Sequence, residues 1–207
     1  MNTCPHKHID QIVEQEQTCA IKGRVMWDNL CIFRDILTSN TEKDFYILGL
    51  DKKKAFDLIS RDYLWMVMEK YGIPSSFIDM VKLLYARSTV QINVNGVLTD
   101  PFEIEKGVKQ GCPASAALYI LAINPLLKRI NTDINIQGTI TSTGQTIVAL
   151  AYADDISIII RNQHEMDVVN KHFELYEEVA GAKLNQDKTE GVWMGVEENK
   201  PQVNVII

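Results

Sequence analysis

The chain has 207 residues, of which 46% are hydrophobic and 23% are charged, values typical of one globular domain, or of one domain with part of another. This composition excludes a disordered tail, a collagen-like fibre and a small disulfide-stapled fold. Lysine and arginine number 21 against 27 aspartates and glutamates, for a net charge of −6. The chain as a whole is therefore not attracted electrostatically to nucleic acid or to an anionic membrane.

Targeting signals are missing from the sequence. The N-terminus has no basic segment followed by an apolar one, and no apolar run approaches the roughly 20 residues that span a bilayer. The four cysteines form no C-x-x-C pair and are expected to be reduced. We therefore expect an intracellular protein, cytoplasmic or nuclear, with no membrane contact. The sequence indicates nothing about its oligomeric state.

The first elements are predicted from hydrophobic spacing. A helix is predicted from Gly23 to Leu37, and a buried strand from Phe45 to Leu50 that ends at Asp51. Two helices follow, at about 60–71 and 75–88, the first with Ser60 as its N-cap. The apolar positions of the first helix are Met26, Leu30, Phe33 and Leu37.

The second half of the chain alternates strands and helices. Residues 89–105 change to a period of two around Asn95-Gly96, the strongest two-residue hairpin signal. A long apolar helix follows at 113–131, with Pro113 in its first turn. The remaining predicted elements are strands at 139–141, 147–152, 156–160 and 191–194, and a helix at 163–179. This order predicts an α+β fold, an antiparallel sheet with helices packed on one face.

Three acidic residues stand out by their positions. Asp51 ends an apolar strand, and Asp154 and Asp155 occupy a tight turn between two strongly apolar strands. The simplest interpretation of Asp154-Asp155 is a polar turn, because aspartate favours turns. A hairpin this apolar belongs in the middle of a covered sheet, however, where its turn would approach the end of a neighbouring strand. Carboxylates that converge there repel each other unless divalent cations neutralise them, and oxygen ligands favour Mg²⁺ or Mn²⁺. Two such ions are suited to phosphoryl transfer.

Five motifs follow one another in the order known from one enzyme family. They are the E-Q…G-R…D-N segment at 16–29, D-K-K-K-A-F-D at 51–57, G-V-K-Q-G-C-P-A-S at 107–115, Y-A-D-D at 152–155 and G-A-K-L-N-Q-D-K-T at 181–189. Together they resemble the palm motifs of reverse transcriptases of the non-LTR retrotransposon and group II intron type. The resemblance covers about residues 14–195. A nucleotide cyclase or nuclease on a similar sheet would not need these motifs in this order.

The resemblance implies a role for each matching acid. Asp51 and Asp154 would be the principal ligands of two Mg²⁺ ions, with Mn²⁺ as an alternative, and Asp155 would support them. Asp57 is not expected to bind metal and is better interpreted as a cap or salt-bridge partner.

The resemblance also implies nucleotide-binding residues. Phe56 falls where the family places a steric gate against the ribose 2′-OH, with a core aromatic as the competing interpretation. Gln110 and Gly111 match the loop that contacts the incoming nucleotide and the template. Lys188 matches the lysine proposed to protonate or stabilise the pyrophosphate leaving group, or it is a solvated surface lysine. Arg24 would touch a template or nucleotide phosphate, or form a structural ion pair.

The resemblance implies an RNA-directed DNA polymerase that uses an RNA template, a DNA primer and dNTPs. It divides the chain into a finger-proximal segment (1–44), a palm (45–195) and a tail where a thumb would begin (196–207). On this division the chain would lack most of the fingers and the thumb, and its net charge is −6. We therefore expect weak binding of nucleic acid by the isolated chain. The alternative is a catalytically silent, truncated remnant of a retroelement.

Overall fold

The computed structural model describes residues 9–39, 44–185 and 188–203. The helices are α1 (Ile9–Ile12), α2 (Met26–Ser39), α3 (Ala55–Leu58), α4 (Arg61–Lys70), α5 (Ser75–Tyr85), α6 (Ser115–Thr132) and α7 (Gln163–Ala180), with a 3₁₀ turn at Glu197–Asn199. The strands are β1 (Phe45–Leu50), β2 (Lys52–Lys53), β3 (Thr89–Val90), β4 (Asn93–Val94), β5 (Val97–Leu98), β6 (Phe102–Glu103), β7 (Thr139–Ile140), β8 (Thr146–Ile147), β9 (Ala149–Tyr152), β10 (Asp155–Ile160), β11 (Lys183–Leu184) and β12 (Glu190–Met194).

A four-stranded antiparallel sheet forms the centre of the molecule, in the order β12-β1-β10-β9. Strand β1 pairs with β10 on one side and with β12 on the other, so that Leu48 lies opposite both Ile158 and Gly191. The predicted α+β fold with an antiparallel sheet is confirmed.

Alternation along the strands divides their side chains between two cores. Leu48, Leu50, Ile156 and Ile158 face the main core, which α4, α5, α6 and α7 complete. Because successive strand residues point to opposite faces, a second set of residues faces the other side of the sheet. There Phe45, Leu150 and Ile159 form a smaller core with Ile36 of α2.

Helix α2 begins later than predicted, and most of the apolar positions in its pattern are not the buried ones. It begins at Met26 rather than Gly23, because Gly23 has a φ of +86° and the Asp28 carboxylate accepts a hydrogen bond from the Val25 N–H at the helix start. The buried positions are Asn29 and Ile36, since Asn29 donates to the Ala151 carbonyl of β9. Three of the four predicted apolar positions, Met26, Leu30 and Leu37, are consequently exposed.

The predicted hairpin is present as a ribbon of two short ladders, β3 with β6 and β4 with β5. Asn95 and Gly96 both have positive φ, at 52° and 89°, the backbone that a type I′ turn requires. The apolar residues of the ribbon are exposed, so it extends from the body rather than joining the core.

Helix boundaries elsewhere follow local caps. Ser60 caps α4 as predicted, its side chain accepting from the Tyr63 N–H. Helix α5 ends at Tyr85, three residues before the predicted Ser88, whose hydroxyl donates to the Tyr85 carbonyl. Helix α6 begins at Ser115 rather than at Pro113.

Two further expectations from the sequence concern membrane-spanning helices and the cysteines. Within the described ranges, no helix is both long and apolar enough to cross a membrane. Cys19, Cys31 and Cys112 are free thiols, as expected, and Cys4 lies outside the described residues.

Candidate active site

The sheet register brings the three predicted carboxylates to one end of the sheet. Leu50, the last residue of β1, pairs with Ile156 of β10. Asp51 follows Leu50 and Asp155 precedes Ile156, so both lie at the same end of neighbouring strands. Tyr152 pairs with Asp155, which leaves a two-residue turn of Ala153 and Asp154. Asp155 therefore belongs to the strand, and the predicted three-residue connection is one residue too long.

Gln17 holds this turn from the N-terminal segment. Its side-chain oxygen accepts from the Ala153 N–H at 2.9 Å, and its side-chain amide donates to the Ala153 carbonyl at 3.1 Å. Gln17 is fully buried. Ala153 has a φ of +56°, a conformation that alanine seldom adopts, and both of its backbone groups are satisfied by this one side chain. Gln17 thus fixes the backbone that carries Asp154 and Asp155.

The carboxylates affect one another electrostatically. Partial burial raises the pKa of Asp155, and the negative charges of Asp154 and Asp51 raise it further, while Lys52 lowers it. A carboxyl whose pKa is raised by two neighbouring acids is in a region of concentrated negative charge. A divalent cation would relieve this repulsion.

Asp51 is held by the segment that follows α7. Its Oδ2 accepts a hydrogen bond from the Asn185 side-chain amide at 2.9 Å and lies 3.6 Å from the Lys188 ammonium. The backbone N–H of Asn185 also donates to the Asp51 carbonyl, at 2.9 Å. Both side-chain contacts use Oδ2, which leaves Oδ1 without a hydrogen bond to any described residue. The Lys188 side chain is 70% exposed, so it is a solvated lysine paired with an acid of the site.

The donor set is suited to a hard divalent cation, although no ready-made site is present among the residues that the structure describes. Asp51, Asp154 and Asp155 offer only oxygen ligands, the type that Mg²⁺ and Mn²⁺ prefer. In the described part of the chain, no three His, Cys, Asp or Glu side chains already stand together as metal ligands. Metal binding through all three acids would require side-chain rearrangement, although Asp51 could enter the ligand set through Oδ1 while Oδ2 keeps its contacts to Asn185 and Lys188.

A buried lysine follows Asp51 in the chain and is affected electrostatically by Asp154 and Asp155. Lys52 is 4% exposed, its ammonium has no hydrogen-bond partner among the described residues, and it lies 5.7 Å from the centre of the Tyr176 ring. Burial lowers the pKa of Lys52 to about 7, although the charges of Asp154 and Asp155 raise it. The Tyr119 hydroxyl is also buried and has no hydrogen-bond partner among the described residues. Burial is the main cause of its raised pKa, and the charges of Asp154 and Asp155 raise it further. The inner wall of the site is therefore polar and incompletely satisfied.

Gly107 brings the Gln110 loop against the residues that follow Asp51. It has a φ of +76°, and a Cβ at this position would lie 2.6 Å from the Asp57 carbonyl oxygen. This approach allows the Val108 N–H to donate to the Phe56 carbonyl at 2.8 Å. The Gln110 side-chain amide then donates to Asp57 Oδ1 at 3.1 Å. Asp57 thus acts as the partner of a candidate nucleotide-binding residue, in keeping with a role other than metal ligation.

Phe56 and Gly111 lie in the two segments that meet at Gly107. The Phe56 ring stacks on Tyr119 with a centroid distance of 4.6 Å and packs against the main core while staying partly exposed. It therefore has one face in the core and the remainder available to a ligand. Gly111 has a φ of +81°, and a Cβ at this position would meet no described atom within 4 Å. Glycine is therefore required there by backbone conformation rather than by space.

Arg24 lies in a different environment from the one predicted. Its guanidinium donates to four backbone carbonyls of the N-terminal segment, those of Asp10, Val13, Glu14 and Gln17. Within the described residues it forms neither the predicted ion pair nor an open cationic surface. Binding of a phosphate by Arg24 would have to displace some of these bonds, and it stays a prediction.

Four residues that shape the site have no role assigned from the sequence. Gln17, Asn185 and Gly107 each lie inside one of the quoted motifs, so their positions were available as a signal although their partners were not. Lys52 also lies inside a motif, but lysine in a short strand gives no sign of burial. Its surroundings become visible only when β2 pairs with β11, which places Lys52 opposite Leu184.

Comparison with known protein families agrees with this geometry. A family model described as reverse transcriptase (RNA-dependent DNA polymerase) matches residues 1–204. The chain belongs to the reverse transcriptase family. The predicted resemblance is therefore confirmed over nearly the whole chain.

The similar reverse transcriptase sequences come from mobile elements of the non-LTR type. One is a transposon TX1 uncharacterized 149 kDa protein of Xenopus laevis, 30% identical over 190 residues, which are 89% of this chain and 14% of that protein. Another is the retrovirus-related Pol polyprotein from the type-2 retrotransposable element R2DM of Drosophila melanogaster, 31% identical over 165 residues, or 78% of this chain and 15% of that protein. The chain thus spans about one seventh of the length of these relatives.

Solved structures with the same reverse transcriptase fold include telomerases. Apo telomerase from Candida tropicalis superposes with a TM-score of 0.63 at 16% identity, over 91% of this chain and 35% of the other. Telomerase from the same organism in complex with a TWJ fragment of telomeric RNA gives a TM-score of 0.58 at 16% identity, over 79% of this chain and 28% of that chain. At this identity the likeness concerns the fold.

Proposed function

We propose that this chain is the catalytic core of an RNA-directed DNA polymerase that adds a nucleotide from a dNTP to a primer 3′-OH. The observation that carries this proposal is the placement of Asp51 and Asp155 at one end of paired strands, with Asp154 in the turn between β9 and β10. Family membership supports the reaction class and an RNA template, because the matching family model is described as an RNA-dependent DNA polymerase.

The chain's own residues would bind and orient the reactants. The partly exposed face of Phe56 would lie against the sugar of the incoming nucleotide and disfavour a ribose 2′-OH. Gln110, held by Asp57, and Gly111 would contact that nucleotide and the template base. Lys188, already 3.6 Å from Asp51, would approach the departing pyrophosphate and offer it a proton or a positive charge.

Asp51, Asp154 and Asp155 would hold two Mg²⁺ ions, or Mn²⁺ in their place. When bound, such ions neutralise phosphate charge and stabilise the attacking and leaving oxygens of an in-line displacement. This would also explain how an acidic site of an acidic chain accommodates a triphosphate.

Primer extension on an RNA template with Mg²⁺ tests the proposal. We expect extension by the wild-type chain and a loss of more than about 100-fold in Asp154→Asn, because changes outside the ligand set already cost 10–100-fold at metal sites. Asp79→Asn is the matched control, since Asp79 is an exposed acid on α5 outside the site, and it should leave extension unchanged. Equal activity of Asp154→Asn and wild type would refute the assignment.

A second candidate is a folded chain that does not catalyse. Two observations favour it: one carboxylate oxygen of Asp51 is already held by Asn185 and Lys188, and the net charge is −6. The two candidates differ in metal binding as well as in extension. Saturable Mn²⁺ binding that is lost in Asp51→Asn, together with extension, supports the polymerase. Absence of both saturable Mn²⁺ binding and extension on any template supports the silent chain.

A further inference from the structure

A groove lies between α4 and α6. It has a volume of about 480 Å³, within the range of small-molecule sites. Its walls include Tyr63, Met66 and Lys70 of α4 and Pro125, Lys128 and Arg129 of α6. On each helix these residues follow helical spacing, so that they share one face. No candidate catalytic or nucleotide-binding residue is among the described residues that line the groove.

The floor of the groove, formed by Tyr63, Met66 and Tyr71, is apolar although it contains two tyrosines. The Tyr63 hydroxyl donates to the Ala122 carbonyl at 3.1 Å, and the Tyr71 hydroxyl accepts from the Asn124 side-chain amide at 2.7 Å. Both hydroxyls are therefore used inside the protein, and the rings remain as lining surface beside the exposed Met66. Such a floor favours an apolar ligand.

Three cations line the same groove, Lys70, Lys128 and Arg129, and all of them are exposed. No acid is among the described lining residues, in a chain of net charge −6. The ammonium groups of Lys70 and Lys128 make no hydrogen bond or ion pair with any part of the chain that the structure describes. All three cations lie near the C-terminal ends of their helices, where positive charge offsets the helix dipole. That role does not require an apolar floor beside them.

Arg129 differs from the two lysines because a series of side chains holds it. Its Nε donates to Nδ1 of His172 on α7 at 3.4 Å, and Nε2 of His172 lies 2.7 Å from Asp133 Oδ2. Since a guanidinium can only donate, Nδ1 is the accepting nitrogen and the Nε2–H of His172 donates to Asp133. The backbone and side-chain N–H groups of Asn135 donate to Asp133 in turn, at 2.9 and 2.8 Å. These contacts fix the position of the guanidinium.

The terminal nitrogens of Arg129 are available to a ligand. Neither makes a hydrogen bond to a residue that the structure describes, and the side chain is exposed. The planar N–H groups of a guanidinium match the two oxygens of a carboxylate. An arginine that is already held in place also loses less conformational freedom when it binds one.

We propose that this groove binds an organic carboxylate, with the apolar ring or chain of the ligand on the floor and its carboxylate at Arg129. Lys70 and Lys128 would add positive charge around the carboxylate. His172 and Asp133 would be positioning residues, because they hold Arg129 rather than the ligand. The site is independent of the proposed polymerase reaction, since it shares none of the residues assigned to that reaction.

Phenylbutyrate is a suitable probe, because it joins one carboxylate to an apolar chain and a ring. Phenylbutanol has the same skeleton without the charge and is the matched neutral ligand. Ligand-observed NMR titrations measure the dissociation constants of both, in the absence of metal and nucleic acid.

Two variants test the assignment of the carboxylate site. Arg129→Gln removes the guanidinium, and His172→Leu removes the side chain that holds it. Arg34→Gln is the control, because Arg34 is an exposed arginine of α2 outside the described lining of the groove. Thermal unfolding establishes that all three variants are folded.

The wild type should bind phenylbutyrate with a Kd on the order of 0.1 to 1 mM, as expected of about a dozen non-hydrogen atoms. Phenylbutanol should bind at least about tenfold more weakly, because it lacks the charged hydrogen bonds. Arg129→Gln should weaken phenylbutyrate binding at least about tenfold, and His172→Leu should weaken it by a smaller factor. Neither change should alter phenylbutanol binding, and a loss confined to the charged ligand is not expected of a merely structural role. Arg34→Gln should bind both ligands as the wild type does.

Three results would overturn the proposal. Equal affinity for phenylbutyrate and phenylbutanol would show that the groove does not recognise the carboxylate. Equal losses in Arg129→Gln and Arg34→Gln would show a general attraction of anions. The third result is the absence of saturable phenylbutyrate binding, including the case in which a helical peptide of leucine and glutamate binds instead, which would assign the groove to a protein partner.

Discussion

Replacing Lys52 with methionine is expected to stabilise the chain in the absence of metal. Lys52 is 4% exposed and its ammonium has no partner among the described residues, so the folded state contains a buried charge without a hydrogen bond. Methionine is flexible and apolar and fills irregular spaces in cores. The substitution removes the charge while keeping most of the packing around Tyr176.

The size of the effect follows from the pKa of Lys52, which is about 7 in the folded chain against an ordinary value of 10.5. Between these two values the unfolded chain binds the proton and the folded chain does not, so stability rises with pH across this interval. The free-energy cost of burying the charged Lys52 side chain is present in full below pH 7. At about 1.36 kcal/mol for each pKa unit, it amounts to about 4–5 kcal/mol at pH 6 and about 2 kcal/mol at pH 9.

Urea denaturation in EDTA, followed by tryptophan fluorescence, measures this difference. Lys52→Met should exceed wild type in free energy of unfolding by these amounts, with the gap narrowing from pH 6 to pH 9. Lys53→Met is the control, because Lys53 is the exposed neighbour in the same strand, and its change should stay within about 0.5 kcal/mol at both pH values. A gap that does not depend on pH, or a destabilised Lys52→Met, would refute the reasoning.

Two further predictions concern the backbone of the site. Gly107→Ala should lower the free energy of unfolding by at least about 1 kcal/mol more than Gly111→Ala. Gly111→Ala carries only the cost of about 1–2 kcal/mol for positive φ, whereas at Gly107 the new Cβ would also meet backbone atoms. Equal losses of stability in thermal unfolding would contradict this prediction. Gln17→Met should cost about 1–3 kcal/mol for each unpaired backbone group of Ala153 and should reduce primer extension. Gln15→Met, at an exposed position, is the control and should change neither the free energy of unfolding nor primer extension. Equal behaviour of the two variants would show that the turn does not depend on Gln17.

Local patterns of the sequence are sufficient to predict most elements. The alternation of apolar residues predicts β1 and β10, and Asn95-Gly96 predicts the ribbon turn, because these signals act over a few residues. The apolar spacing of α2 does not identify its buried side, since Asn29 donates a hydrogen bond to the Ala151 carbonyl, 122 residues away in the chain. A polar residue that is buried through a distant partner has no signature in local periodicity.

The candidate site also combines residues that local sequence patterns predict with residues that depend on distant contacts. Asp51, Asp154 and Asp155 can be predicted together because an acid after an apolar strand is unusual, and the strand register brings them to one end of the sheet. The two residues that hold them, Gln17 and Asn185, depend on contacts between distant segments. The groups that would carry the chemistry are thus predictable from sequence, whereas the groups that hold them in place are not.

The two hydrogen bonds between Gln17 and Ala153 decide where the chain can be divided. They make the segment before α2 part of the turn that carries Asp154, although 136 residues separate the two positions. A cut between α2 and β1 would separate the acid-bearing turn from the side chain that shapes it. Exchanges of segments with related proteins should accordingly transfer residues 14–29 and 149–160 together, as one unit of two distant pieces.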